Sequence, residues 1–230
     1  KVGAVKFRSG RLPQGKILGA TVKLEGNDWY CTVQCQVDID VRPIEPRAET
    51  VLAMDAGLTT LVVRSDGVRV KMPKAERRCS KRIVRLQRQM ARQRLAGKKQ
   101  KRDGERRRSN NYEKTRIRLA VEHARRVRIR RNCHHQATSA MVKQSSAGVV
   151  ETLAVNAMAQ GLDLGKSVGN AGIGEMLRQL DYKYAWSGKT LVKADRWFPS
   201  TQACSACGNV KQGEEKLTLA DRVYRCDCGH

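Results

Sequence analysis

Cys204-Ser205-Ala206-Cys207-Gly208 and Cys226-Asp227-Cys228-Gly229 carry two thiol pairs, with 18 residues between Cys207 and Cys226. A thiolate pair on each of two tight turns supplies four soft ligands to a tetrahedral Zn2+. The glycine after each pair lets the backbone turn so that amides face the sulfurs. The second pair is spaced C-x-C where ribbons usually have C-x-x-C, which makes a tighter chelate. His230 is an alternative ligand for one of that pair, but the expected set is Cys204, Cys207, Cys226 and Cys228. So small a ribbon uses metal in place of a hydrophobic core, which makes the expected role of the zinc structural. The other cysteines, Cys31, Cys35, Cys79 and Cys133, are scattered. That usage suits a reducing compartment with one metal site rather than a disulfide framework.

Two carboxylates form a second candidate site. The apolar run Thr50-Val51-Leu52-Ala53-Met54 ends in Asp55, and Ala147-Gly148-Val149-Val150 ends in Glu151. One acid at a strand end is ordinarily a turn cap or an ion-pair partner. Two of them, with hairpin strands and helices between, suit a divalent cation, because clustered carboxylates offer the hard oxygens that Mg2+ takes. Two such ions, about 4 Å apart around one phosphate, activate the attacking water and stabilise the leaving oxygen in phosphodiester hydrolysis.

Charge names the class of partner. The net charge over 230 residues is +24, and residues 71–131 alone hold 25 Lys and Arg against 5 Asp and Glu. Such self-repulsion is relieved by a polyanion, so the segment predicts RNA or DNA binding through phosphates. Arg77, Arg78, Lys81, Arg82 and Arg85, with Arg125 and Arg128, are the residues expected to carry it. No stretch approaches the roughly 20 apolar residues that span a bilayer, so no membrane partner is expected. There is also no apolar signal-type run near the start.

The elements that must position these residues follow from pattern. Short apolar runs from Val2 to Val33, broken at Pro13/Gly15 and Gly26-Asn27-Asp28, read as a small antiparallel barrel or its remnant. Residues 41–50, with Pro43 and Pro46, read as a linker. The run ending in Asp55, then Leu61–Arg64 and Val68–Val70 around the Ser65-Asp66-Gly67 turn, predict three strands. Two basic helices follow, one with Ile83, Leu86 and Met90 on its apolar face and one with Ile117, Ala120, Val121, Ala124 and Val127. Lys98 to Arg108 is the expected break between them, and the five glycines of 160–174 predict a mobile loop. A helix over Glu175–Ala185 and a strand over Thr190–Ala194 complete the series. The order predicts an α/β sheet with inserted basic helices, and Asp55 and Glu151 at strand ends make it look like a mixed sheet of RNase H-like kind.

At this point the chain resembles a family. Met54-Asp55-Ala56-Gly57-Leu58 is similar to the first RuvC motif of transposon-encoded TnpB proteins and type V CRISPR effector nucleases. Glu151-Thr152-Leu153-Ala154-Val155 is similar to the second, and Leu180 to Gly208 resembles the lead-in to the family's target-nucleic-acid-binding zinc ribbon. The resemblance implies the end of an OB-like wedge domain over 1–40, a RuvC core over 50–199 with a basic insert at 71–140, and the ribbon over 200–230. It implies guide RNA and target DNA as partners, catalytic Mg2+ at Asp55 and Glu151, and a prokaryotic, nucleoid-associated place in the cytoplasm. It also implies that Arg222 or Arg225 of the ribbon could meet the scissile phosphate. The family's third acid lies shortly after the ribbon. The chain runs from Lys1 to His230, and Asp163, Asp181, Asp195 and Asp221 do not match that motif. These features predict a C-terminal portion whose N-terminal recognition lobe is missing.

Three readings follow. The first is the RuvC-containing portion of an RNA-guided DNA endonuclease. The second is an RNA-guided DNA-binding protein that silences by occupancy, favoured by the unmatched third acid. The third is a basic ribosome-like RNA-binding protein with structural zinc, which leaves Asp55 and Glu151 unexplained.

Overall fold

The computed structural model describes residues 6, 8, 14–99, 109–154, 157, 160, 165–195, 197–218, 221 and 223–229. The expected strand at residues 2–7 and the expected break after Lys99 lie outside them, apart from Lys6. β1 (Lys16–Glu25) and β2 (Asp28–Gln36) form an antiparallel hairpin closed at Gly26-Asn27.

The main sheet contains β3 (Val51–Asp55), β4 (Val62–Arg64), β5 (Arg69–Val70), β6 (Ala147–Glu151) and β7 (Thr190–Ala194). Its order is β5-β4-β3-β6-β7. The first three strands pair antiparallel, whereas β6 and β7 run parallel to β3. The hairpin arm needs only the Ser65-Asp66-Gly67 turn, while each parallel step needs a crossover. The sequence supplies those crossovers as helices. This mixed order, with helices between the third and fourth strands, is the RNase H-like arrangement.

α1 (Lys74–Lys99) and α2 (Asn110–Gln144) pack as an antiparallel pair. Ser109 caps α2, its hydroxyl accepting from the Tyr112 amide. In α1 the expected face is inward: Ile83 and Leu86 are buried and Met90 half-buried. The α2 face is a correction. Ile117, Val121 and Val127 remain exposed, and the side chains α2 buries are Thr115, Cys133, His134, Thr138, Met141 and Val142. The expected stripe meets the tip of the β1–β2 hairpin instead, where a Cβ on Gly26 would lie 3.1 Å from Val121 Cα and 3.3 Å from Ala124 Cβ. A narrow contact with a two-stranded ribbon leaves most of that stripe in solvent.

The glycine-rich stretch is a second correction. Residues 165–171 form α3 (Gly165–Ala171), and Gly172, in the left-handed region, separates it from α4 (Ile173–Trp186). Tertiary contacts override the low helix propensity: Val168 and Ala171 are buried, and Arg130 donates to the Gly169 carbonyl at 2.7 Å. Residues 161–164 lie outside the described residues.

The core lies between the sheet and the α2–α4 layer. Met54, Val62, Met141, Val150, Ile173, Met176, Leu180 and Tyr184 form one buried cluster. Tyr184 reaches Ser145 through a hydroxyl contact of 2.7 Å. It lies over Gly148, where an added Cβ would sit 2.5 Å from the ring. Only glycine fits there, so β6 can lie flat beneath α4 and deliver Glu151 to the strand end.

Candidate functional site

The parallel strands β3, β6 and β7 end side by side. Met54 pairs with Val150, which makes Asp55 and Glu151 the next residues in register, and Glu151 pairs with Ala194. Neighbouring strands lie about 4.8 Å apart. The sheet thus brings together Asp55 and Glu151, which are 96 positions apart in sequence. It adds Asp195, one residue beyond the end of β7. All three line one cavity of about 650 Å³, together with Leu153, Phe198 and Ser200 among others.

The three acids differ in their commitments. Ser200 Oγ donates to Glu151 Oε1 at 3.4 Å, and Asp195 Oδ1 accepts the Trp197 amide at 2.7 Å. Among the described residues, only the four ribbon cysteines form a group of three or more ligand residues within 4.8 Å of one another, so the three carboxylates do not converge that closely. The donor set still suits Mg2+: carboxylate oxygens from adjacent strands in a cavity with room for waters, which that ion keeps. Asp195 was present in the sequence without a role. The signal that finds it is the one that found Asp55 and Glu151, an acid directly after an apolar strand.

The ribbon holds its cysteines as the spacing predicts. Cys204 and Cys228 sulfurs lie 3.7 Å apart and those of Cys207 and Cys226 lie 3.6 Å apart. A tetrahedron of thiolates about 2.3 Å from Zn2+ has edges of about 3.8 Å. The C-x-C pair therefore reaches the cluster with Cys228 included, and His230 lies outside the described residues. Gly208 and Gly229, with φ of 75° and 89°, turn the chain after each pair. The Cys207 and Ala206 amides face Cys204 and pull its thiol down to about 6. Gln202 knits the surrounding loop, donating to the Leu217 carbonyl at 2.9 Å and accepting from its amide at 2.8 Å. The four-cysteine cluster is a fit for zinc.

The basic residues separate into two sets. Arg77, Arg78, Lys81 and Arg85 are exposed on α1, and no acidic partner occurs for them among the described residues. Arg82 and Arg125 share Glu122, at 3.2 Å and 4.0 Å. Arg128 faces Asp28 at 3.8 Å and lies 5.5 Å above the Tyr30 ring, holding the hairpin to α2. Arg126, on the inward side, binds Glu76 at 2.6 Å and also Asn170. Arg225 is exposed and not among the cavity-lining residues, and Arg222 lies outside the described residues. No helix among the described residues is long and apolar enough to cross a membrane.

A mixed RNase H-like sheet with acids at its strand ends, followed by a four-cysteine ribbon, defines a nuclease-type fold. Two family models match the chain. One, "OrfB_IS605, Probable transposase", covers residues 34–161, and the other, "Cas12f1-like, TNB domain", covers 174–230. The first spans more than half of the chain, and the protein belongs to that family, the group of TnpB proteins and type V effectors. A "Putative RNA-guided DNA endonuclease" of Streptomyces pristinaespiralis is 33% identical over 87% of this chain and 46% of its own length. "Putative RNA-guided DNA endonuclease InsQ" of Escherichia coli (strain K12) is 27% identical over 98% of this chain and 56% of its own. The chain thus spans about half the length of these relatives. In fold it is similar to a Cas12f1 chain solved in a Cas12f1-sgRNA-target DNA complex, with a TM-score of 0.54 at 14% identity, over 87% of this chain and 40% of that one.

Proposed function

We propose that the chain is the RuvC-containing portion of an RNA-guided DNA endonuclease that cleaves target DNA by two-metal-ion phosphodiester hydrolysis. The observation that carries this reading is the placement of Asp55 and Glu151 at adjacent parallel strand ends in one cavity. Asp55 and Glu151 would hold Mg2+, which when bound supplies Lewis-acid activation of water and phosphate. The α1 cations hold nucleic-acid backbone without reading bases, which suits recognition delegated to a guide RNA. Residues 1–40 are the end of a wedge domain, 50–199 the nuclease core with its basic insert at 71–140, and 200–230 the ribbon. The intact protein works in the prokaryotic cytoplasm, at the nucleoid.

Titration with Mn2+, followed by electron paramagnetic resonance, tests the site. The chain should bind Mn2+ in a way that Asp55→Asn and Glu151→Gln each weaken about tenfold or more. Equal Mn2+ binding by both variants would place the cation elsewhere. A second reading, guide-dependent binding without cleavage, is favoured by the absence of a converging three-carboxylate group among the described residues. It predicts stable target binding by the intact protein and no cut product.

A further inference from the structure

The cavity at the strand ends has a lining of mixed chemistry. Asp55, Glu151 and Asp195 contribute carboxylates to it, while Leu153, Ala154 and Phe198 contribute apolar surface. Phe198 is 58% exposed, so it serves the hydrophobic core poorly. The backbone nevertheless fixes its place. Its amide donates to the Asp195 carbonyl at 3.1 Å, and its carbonyl accepts the Ser200 amide at 2.8 Å. The next residue, Pro199, accepts the Gln202 and Ala203 amides at 2.9 Å and 3.0 Å, tying this turn to the first turn of the ribbon. An aromatic side chain held between β7 and the ribbon, in one cavity with Asp55 and Glu151, is pre-organised for a planar base, and a divalent cation on the carboxylates would hold the phosphate that they alone would repel.

Resting on the nuclease reading above, we propose that Phe198 is a positioning residue for the substrate strand. Its ring stacks on the base of one unpaired nucleotide whose phosphate lies at the Asp55–Glu151 end. A volume of about 650 Å³ falls within the range of small-molecule sites and admits one nucleotide, whereas a base pair inside a duplex is already stacked on both faces. Every base has a π-face, so stacking sets the strand's position without selecting sequence.

Photocrosslinking of the full chain to single-stranded oligonucleotides carrying one 5-iodouracil, mapped by mass spectrometry, tests this stacking. The expected crosslink is at Phe198, reduced about tenfold or more in Phe198→Ala and in Phe198→Leu and restored in Phe198→Trp. Annealing the oligonucleotide to its complement should remove it. An abasic competitor of equal length should displace the strand from wild type less well than a thymine competitor does, and equally well from Phe198→Ala. No crosslink at 198, an equal crosslink from duplex, or an unchanged competitor ratio in Phe198→Ala would overturn the proposal. Asp55→Asn/Glu151→Gln should keep the crosslink. Cation binding that both carboxylate variants leave unchanged, with the crosslink intact, would refute the nuclease reading alone.

Discussion

Replacing Arg77, Arg78, Lys81 and Arg85 with glutamine should flatten the salt dependence of nucleic-acid binding far more than replacing Arg82, Arg125 and Arg128. The first four are exposed on α1, and Arg77, Lys81 and Arg85 recur every four residues along one stripe. Each phosphate left without its cation should lower the slope of log K against log salt by about 0.9 on duplex DNA or about 0.7 on a single strand. If all four side chains neutralise phosphates, the duplex slope falls by about 3.6. Between about 50 mM and about 200 mM salt, the affinity of the variant would then fall about a hundredfold less than that of wild type. The second set opposes three cations to Glu122 and Asp28. One positive charge remains in surplus, so its removal should change the slope by about 0.9. Fluorescence anisotropy with two unrelated duplexes, across that salt range, measures both slopes. Equal flattening by the two sets would refute the reasoning that acidic neighbours already occupy the second. Weaker binding to one duplex only would show base readout in place of phosphate neutralisation.

Two further outcomes are expected. Chelating the metal should abolish amide-exchange protection at Cys204, Gly208 and Lys211, whose amides bond within the ribbon, while β3 and β6 stay protected. Cys204→Ser should lose zinc by metal analysis, and a variant that keeps its zinc would remove Cys204 from the site. The second outcome concerns pH. His134 is fully buried, with Nε2 2.9 Å from the Ala171 carbonyl and Nδ1 without a partner. Burial lowers its affinity for a proton from the ordinary 6.5, with Arg130, Glu175 and His135 as its charged neighbours. The unfolded chain then binds more protons at this position. The stability contributed is complete above pH 6.5 and is lost as pH falls below it. Urea midpoints at about pH 7.5 and about pH 5.5 should differ more for wild type than for His134→Gln, and equal pH dependence would contradict this assignment.

The strands that carry the acids were legible in the sequence because apolar runs bounded by turn residues leave little choice. Ala147–Glu151 and Thr190–Ala194 occupy the expected positions. The cysteine cluster was legible for a different reason, since metal ligation fixes residue type and spacing together. What was not legible depends on tertiary packing. α3 forms in a glycine-rich stretch because Val168 and Ala171 enter the core and α2 side chains bind its carbonyls. The stripe Ile117–Val127 looks like a core face but receives only the hairpin tip, while the buried positions of α2 start with polar Thr115 and resume at Cys133. Asp195 and Phe198 gain meaning only once β7 is placed beside β6. Arg82 and Arg128 read as free charge until the fold brings Glu122 and Asp28 to them, whereas Arg125 meets Glu122 within one helix.

Target cleavage by the intact protein with its guide RNA, comparing wild type with Asp55→Ala, tests the central claim most directly. Removing one metal-holding carboxylate should slow cleavage about a thousandfold or more. Guide-dependent binding should stay within about threefold of wild type, because the basic helices supply the hold on the backbone. Cleavage by Asp55→Ala at the wild-type rate would contradict the account. So would a wild-type protein that binds its matched target stably and leaves it uncut in both Mg2+ and Mn2+.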